Sequence, residues 1–202
     1  MKRNAADGLF SKPSIVGLFM TVCFEKLAAL DHGVSRYFGL HNDPRLRVAL
    51  GVVTYLGTGV VWVPLYALFL LITRDHLFQL ISTLVLAEVM GLFFIIILRY
   101  GTKRARPARS YKAFPLTPWN RYSFPSHHAL RSFIIAVVIG IAFPWLLPFL
   151  LPAASVVSFS RIYLSKHYLS DVLAGALLGI LLAGASQWFL CEPASLLPLT
   201  TH

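Results

Sequence analysis

Four stretches of the chain are free of charge or nearly so, and short polar segments separate them. Val48–Thr73 and Ser132–Ser160 carry no charged residue, His76–Leu98 carries only Glu88, and Leu169–Leu190 carries only Asp171. A helix of about 20 apolar residues crosses a hydrocarbon core of about 30 Å. Val48–Thr73 therefore reads as one tilted span containing Trp62 and Pro64, joined by Arg74-Asp75 to a second span, His76–Leu98. Ser132–Ser160 is too long for one crossing, since a continuous helix over it would measure about 43 Å. Pro144 and Pro148 offer a break, and Pro125–Lys166 suffices for two short crossings. A hairpin there returns Arg161–Asp171 to the membrane surface that holds Ser126-His127-His128; a single crossing would separate the two. Leu169–Leu190 is the last span, and its stripe of Gly175, Gly179 and Ala183 permits close helix contact.

Before the first long span, Pro13–Phe24 is apolar but short, with no small-x-small cleavage site after it. In Glu25–Leu40, Leu27, Leu30, Val34, Tyr37 and Phe38 recur at helical spacing among Glu25, Lys26, Asp31, His32 and Arg36. That pattern predicts an amphipathic helix lying in the interface, with a frayed extension of the preceding apolar segment as the alternative. The expected fold is all-α: a polytopic transmembrane helical bundle of about five spans plus an N-terminal interfacial helix. Residues 1–44 are expected to form a tail and that helix, 45–190 the transmembrane domain, and 191–202 a C-terminal tail.

Composition agrees with this class. Of 202 residues, 57% are hydrophobic and only 13% charged, which is unusual for a soluble domain. The net charge of +10 points to anionic lipid or an anionic substrate. Nucleic acid is not expected as a partner, because the basic residues flank the spans. Two cysteines, Cys23 and Cys191, make no disulfide framework.

The candidate chemistry sits in three polar clusters. Arg99–Ser123 holds Arg99, Lys103, Arg104, Arg106, Arg109, Lys112 and Arg121 and no acid. Pro125-Ser126-His127-His128 opens the third apolar run, where a helix N-terminus suits a bound anion. Ser160–Asp171 contains Arg161, His167 and Asp171, and the four-residue spacing of the last two places both on one face of a helix. There the carboxylate orients the ring, and a neutral imidazole is a competent nucleophile or base. Arginines favour bidentate recognition of phosphate. The constellation points to phosphoryl transfer with a histidine nucleophile. Glu88, an acid inside a span, reads first as the structural partner of a buried hydroxyl or arginine and second as a functional group. His32, His41, His76 and His202 lack supporting context and read as surface residues.

These clusters resemble the three motifs of the type 2 phosphatidic acid phosphatase (PAP2) family of membrane lipid phosphate phosphatases. The family motifs are K-x6-R-P, P-S-G-H and S-R-x5-H-x3-D. The chain reads Arg99-x6-Arg106-Pro107, Pro125-Ser126-His127-His128 and Ser160-Arg161-x5-His167-x3-Asp171. Motifs and spans together cover roughly residues 45–190. Arg99 stands in place of the family's lysine and His127 in place of its glycine. Lys103 is the alternative bearer of the lysine role, and His127 the alternative to His128. The resemblance implies that His167 attacks phosphorus, that Asp171 orients it, and that His128 protonates the leaving oxygen and then activates water. Arg99, Arg106, Ser126, His127 and Arg161 would bind the phosphoryl oxygens. The family requires no metal and no cofactor. Lys103, Arg104, Arg109, Lys112 and Arg121 are otherwise expected to face lipid headgroups rather than to catalyse.

The expected function is hydrolysis of a lipid phosphate or pyrophosphate monoester: an isoprenyl pyrophosphate, phosphatidylglycerophosphate, phosphatidic acid or a lipid A phosphate. The alternatives are phosphotransfer within the same family, a zinc site built from His127, His128, His167 and Asp171, and a lipid-binding or flipping bundle without turnover. The arginines argue against a bound cation. The expected location is a bacterial inner membrane with the active site facing the periplasm or exterior, although the basic loop Arg99–Arg121 favours the cytoplasm by the positive-inside rule. Oligomeric state is left open.

Overall fold

In the computed structural model, residues 15–41, 43–72, 76–107 and 121–190 are described, and every regular element among them is helical. The order is α1 (Ile15–Leu40), α2 (Pro44–Val53), α3 (Gly59–Ile72), α4 (His76–Thr102), α5 (His127–Ala142), α6 (Leu147–Tyr163) and α7 (Leu169–Leu190). Four segments are long and apolar enough to cross a membrane: Pro44–Leu68, Leu77–Thr102, Pro144–Tyr163 and Leu169–Leu190. α5 is a shorter apolar helix among them. The chain is an integral membrane helical bundle.

The expected hairpin is present. α5 ends at Ala142, Phe143 leaves helical geometry, and a 3-10 turn at Pro144–Leu146 leads into α6. Pro144 starts that turn because its ring cannot continue the preceding helix. α5 lies at the centre, against α4, α6 and α7. Leu130, Ile134 and Val138 of α5 interlock with Leu84 and Ile95 of α4 and with Leu182 and Ala183 of α7. The small-residue stripe sets the α5–α7 distance. A Cβ on Gly175 would stand 2.4 Å from the Ser126 carbonyl oxygen, and one on Gly179 2.4 Å from that of Leu130. Only glycine admits backbone that close. Val89, Phe93 and Ile97 of α4 and Leu173, Leu177 and Leu181 of α7 point outward, where lipid accepts them.

Three elements differ from expectation. The first long span is not one helix. α2 gives way to a 3-10 turn at Thr54–Gly57, Thr58 is extended, and α3 begins at Gly59. The reason is steric as well as local: Cβ atoms on Gly57 and Gly59 would lie 2.9 Å from His128 and Arg131 respectively. The break therefore seats the span against the polar end of α5. At the N-terminus, α1 is continuous from Ile15, so the short apolar segment and the amphipathic helix form one element. Neither Gly nor Pro stands at the Phe24–Glu25 junction to end it. Its C-terminal half packs through Val34 and Phe38 onto Ala129, Ile162 and Val172. Finally, α4 runs through Arg99 to Thr102, so Arg99 lies in a last helical turn rather than in the loop. A cation there is favoured by the helix dipole.

Candidate active site

The end of the bundle that carries the α4 C-terminus, the α5 N-terminus and the α6–α7 connection brings the three polar clusters together. His167 is on that connection, two residues before the helix predicted to carry it. The connection folds by its own hydrogen bonds: Leu164 and Ser165 N–H donate to Ser160 and Ile162 carbonyls, and Lys166 and His167 N–H both donate to the Arg161 carbonyl. Asp171 occupies the first turn of α7. The carboxylate still faces the imidazole, with Oδ2 3.6 Å from His167 Nδ1. That exceeds a direct hydrogen bond and acts as a charge held beside the ring.

The opposite ring nitrogen faces a guanidinium. Arg106 Nη1 lies 3.1 Å from His167 Nε2 and donates to the Lys166 carbonyl at 2.8 Å. A guanidinium only donates, so this contact assigns the Nε2 lone pair to Arg106 and the ring proton to Nδ1, on the side of Asp171. Burial, then the positive charges of Arg106, Arg161 and Arg99, hold the His167 pKa well below its ordinary 6.5; a backbone hydrogen bond with Ser123 offsets part of this. Burial together with Arg161, Arg106 and Arg47 likewise lowers Lys166 to about 8.

Around this pair the other candidates are sorted by the fold. Arg161 is 9% exposed and donates from Nη1 to Thr54 Oγ1 at 2.7 Å, in the broken part of the first span. Arg99 is 2% exposed, with Nη2 3.4 Å from the Pro125 carbonyl oxygen. Ser126 caps α5; its Oγ is buried and makes no hydrogen bond, and its N–H donates to the Asp171 carbonyl. His128 is partly buried and packs against Gly57. His127 turns the other way, with Nε2 3.5 Å from Arg131 Nη2 and 4.0 Å from Glu88 Oε2. Lys103 and Arg121 are exposed, and Arg109 and Lys112 lie outside the described residues. His32 and His41 are exposed, whereas the His76 side chain and His202 lie outside the described parts.

A family model described as the PAP2 superfamily matches residues 76–190. An undecaprenyl-diphosphatase of Sulfolobus acidocaldarius is 32% identical over 70% of this chain and 71% of its own length. The chain belongs to the PAP2 superfamily. Other relatives are a lipid A 4'-phosphatase of Bacteroides thetaiotaomicron, 30% identical over 59% of this chain and 60% of its own, and phosphatidylglycerophosphatase B of Bacillus subtilis, 29% identical over 75% and 79%. The crystal structure of Aquifex aeolicus LpxE superposes with a TM-score of 0.64 at 30% identity, covering 76% of this chain and 92% of that one. A transmembrane PAP2-type phosphatidylglycerolphosphate phosphatase from Bacillus subtilis shares the fold, with a TM-score of 0.66 at 24% identity over 88% and 95%. The expectation of an integral-membrane lipid phosphatase is borne out.

Within this PAP2 site, three side chains escaped the motif reading. Arg104 does not face headgroups: it donates to Asp171 and to Asp31 of α1. The helical pattern places Asp31 on the polar face of an interfacial helix, yet it is 1% exposed. Thr54, the partner of Arg161, lay inside an apolar run and gave no signal. Glu88 does meet an arginine as expected: Arg131 Nε and Nη2 reach Glu88 Oε1 and Oε2, both at 2.7 Å.

Proposed function

We propose that this PAP2 phosphatase hydrolyses the terminal phosphate of an amphiphile at the lipid–water boundary through a phosphohistidine at Nε2 of His167. The supporting observation is the arrangement of that ring, with a lone-pair nitrogen beside Arg106 and its other nitrogen beside Asp171. The Nε2 lone pair attacks phosphorus while the bond to the leaving oxygen breaks, and His128 supplies the proton that oxygen takes. Water then attacks the phosphohistidine and gives its proton to His128. The P–N bond breaks, and its electron pair returns to Nε2. Arg99, Arg106 and Arg161 neutralise the phosphoryl oxygens as charge develops on them, and the Ser126 hydroxyl donates to one of them. Arg161 and Arg99 are buried, which strengthens their attraction for phosphate.

The substrate class is a lipid phosphate or pyrophosphate monoester. Isoprenyl pyrophosphates come first, because the relative with the greatest identity among those named is an undecaprenyl-diphosphatase. The site faces the periplasm or exterior of a bacterial inner membrane. The test is phosphate release by purified protein from isoprenyl pyrophosphate, phosphatidylglycerophosphate, phosphatidic acid and lipid A phosphate. It is combined with acid-quench trapping of a radiolabelled, acid-labile phosphoenzyme. Release from one of these lipids, with label on His167, supports the reading; release without a trapped phosphohistidine overturns the covalent route.

A further inference from the structure

Asp171 is gripped on the side away from His167. Its Oδ2, which faces the imidazole, accepts the Tyr168 N–H at 2.9 Å. Its Oδ1 accepts Arg104 Nη1 at 2.7 Å. The same guanidinium reaches in the other direction, with Nη2 2.6 Å from Asp31 Oδ2 of α1. Arg104 Nη1 also donates to Ser170 Oγ at 2.7 Å, and the guanidinium lies 4.4 Å from the centre of the Tyr168 ring.

Asp31 is bound into this end of α7 independently. Its Oδ1 accepts the Ser170 N–H at 2.9 Å, and its Oδ2 accepts the Ser170 hydroxyl. A carboxylate from a distant helix thus satisfies a free N–H in the first turn of α7, where a negative charge also suits the helix dipole. Both carboxylate side chains are fully buried, and Arg104 is the cation between them. The charge count has a consequence. Were Arg104 paired with Asp171 alone, it would cancel the charge that His167 experiences. Shared between two carboxylates, it leaves a net negative charge beside the ring, and its planar fork sets where Asp171 stands.

We propose that Asp31 and Arg104 are positioning residues that fix the place and preserve the charge of Asp171, which makes the N-terminal helix α1 part of the catalytic apparatus. The inference rests on His167 being the nucleophile and Asp171 its orienting partner. Asp31 and Arg104 touch neither substrate nor the reacting nitrogen. They act through Asp171, so their loss slows formation of the phosphoenzyme and leaves phosphate binding intact.

The test is a double-mutant cycle on full-length protein in detergent, reading kcat, KM, vanadate inhibition and the rate of phosphoenzyme formation. Asp31→Asn lowers kcat by about tenfold or more with KM and vanadate affinity within about twofold of wild type. Asp31→Glu recovers part of the loss. In an Asp171→Asn background, Asp31→Asn has no further effect, because the group through which it acts is already neutral. Full additivity of the two losses, or a loss confined to KM, overturns the proposal. If Asp31→Asn does not yield an assembled, vanadate-binding protein, the same cycle is run with Arg104→Lys, which keeps the charge but not the two-ended grip. Wild-type protein that releases phosphate without a trapped phosphohistidine removes the parent reading. Wild-type trapping with unchanged trapping in the variants removes this inference alone.

Discussion

Arg131 holds Glu88 with both arms of its guanidinium, Nε to Oε1 and Nη2 to Oε2, across the α4–α5 interface. Both residues are less than a tenth exposed, Glu88 in a helix long and apolar enough to cross a membrane and Arg131 in the shorter apolar helix α5. A pair so placed joins the two helices, yet each charge depends on the other to offset its desolvation. Glu88→Ala leaves a buried guanidinium uncompensated and is expected to cost about 3–5 kcal/mol of stability. Replacing Glu88 and Arg131 together by methionine and leucine costs far less. Melting temperatures of the wild type and the two variants in one detergent check this; equal losses in the single and double variants would count against it.

His167→Ala is expected to reduce phosphate release to background while the bundle still assembles, because His167 lies on the α6–α7 connection and outside the hydrophobic clusters that join the helices. Asp171→Asn keeps the ring but removes the charge at its Nδ1 side, and should lower kcat on the order of a hundredfold or more. Vanadate, which mimics five-coordinate phosphorus, should inhibit the wild type. Retained vanadate binding by Asp171→Asn separates lost orientation from lost binding.

His167 should remain neutral in acid. Burial and the three neighbouring arginines depress its pKa in the folded protein below the 6.5 of an unperturbed ring. The imidazole therefore stays unprotonated, and nucleophilic, as pH falls through 6.5. The unfolded chain takes up the proton first. The associated stability is present above about 6.5 and is lost on acidification toward the depressed folded value. Nitrogen NMR of the ligand-free protein with labelled histidine, with His167→Ala for assignment, should show a neutral ring with the proton on Nδ1 at pH 6. A ring titrating near 6.5 would contradict this electrostatic picture.

Gly57 permits the first span to touch the candidate acid. A Cβ there would meet His128 Cδ2 and Val157 Cγ1 at 2.9 Å. Gly57→Ala is expected to displace the His128 ring and lower turnover by about ten- to a hundredfold, as small misplacements of a reacting group do. Gly51, six residues earlier in α2, has nothing within 4 Å of such an atom, and Gly51→Ala should leave activity unchanged. Initial rates on one lipid phosphate distinguish the two.

Much of this protein is legible in its sequence. The charge-free runs announced spans because an unpaired charge in hydrocarbon is costly, and the length of Ser132–Ser160 with Pro144 demanded a hairpin. The hairpin in turn required that His128 and His167 share a surface. Motif spacing named the histidines, Asp171 and three arginines without reference to a fold. Other features depended on tertiary structure alone. Thr54 and Gly57 lie in an apolar run whose hydropathy says "span" whether or not the helix breaks, and the break answers to His128 and Arg131 on another helix. Asp31 meets Ser170 across 139 positions. An amphipathic pattern records which residues are polar, and it cannot distinguish a carboxylate bound for water from one bound for a buried arginine. That choice is made by the rotation of α1 against α7, which local periodicity does not specify.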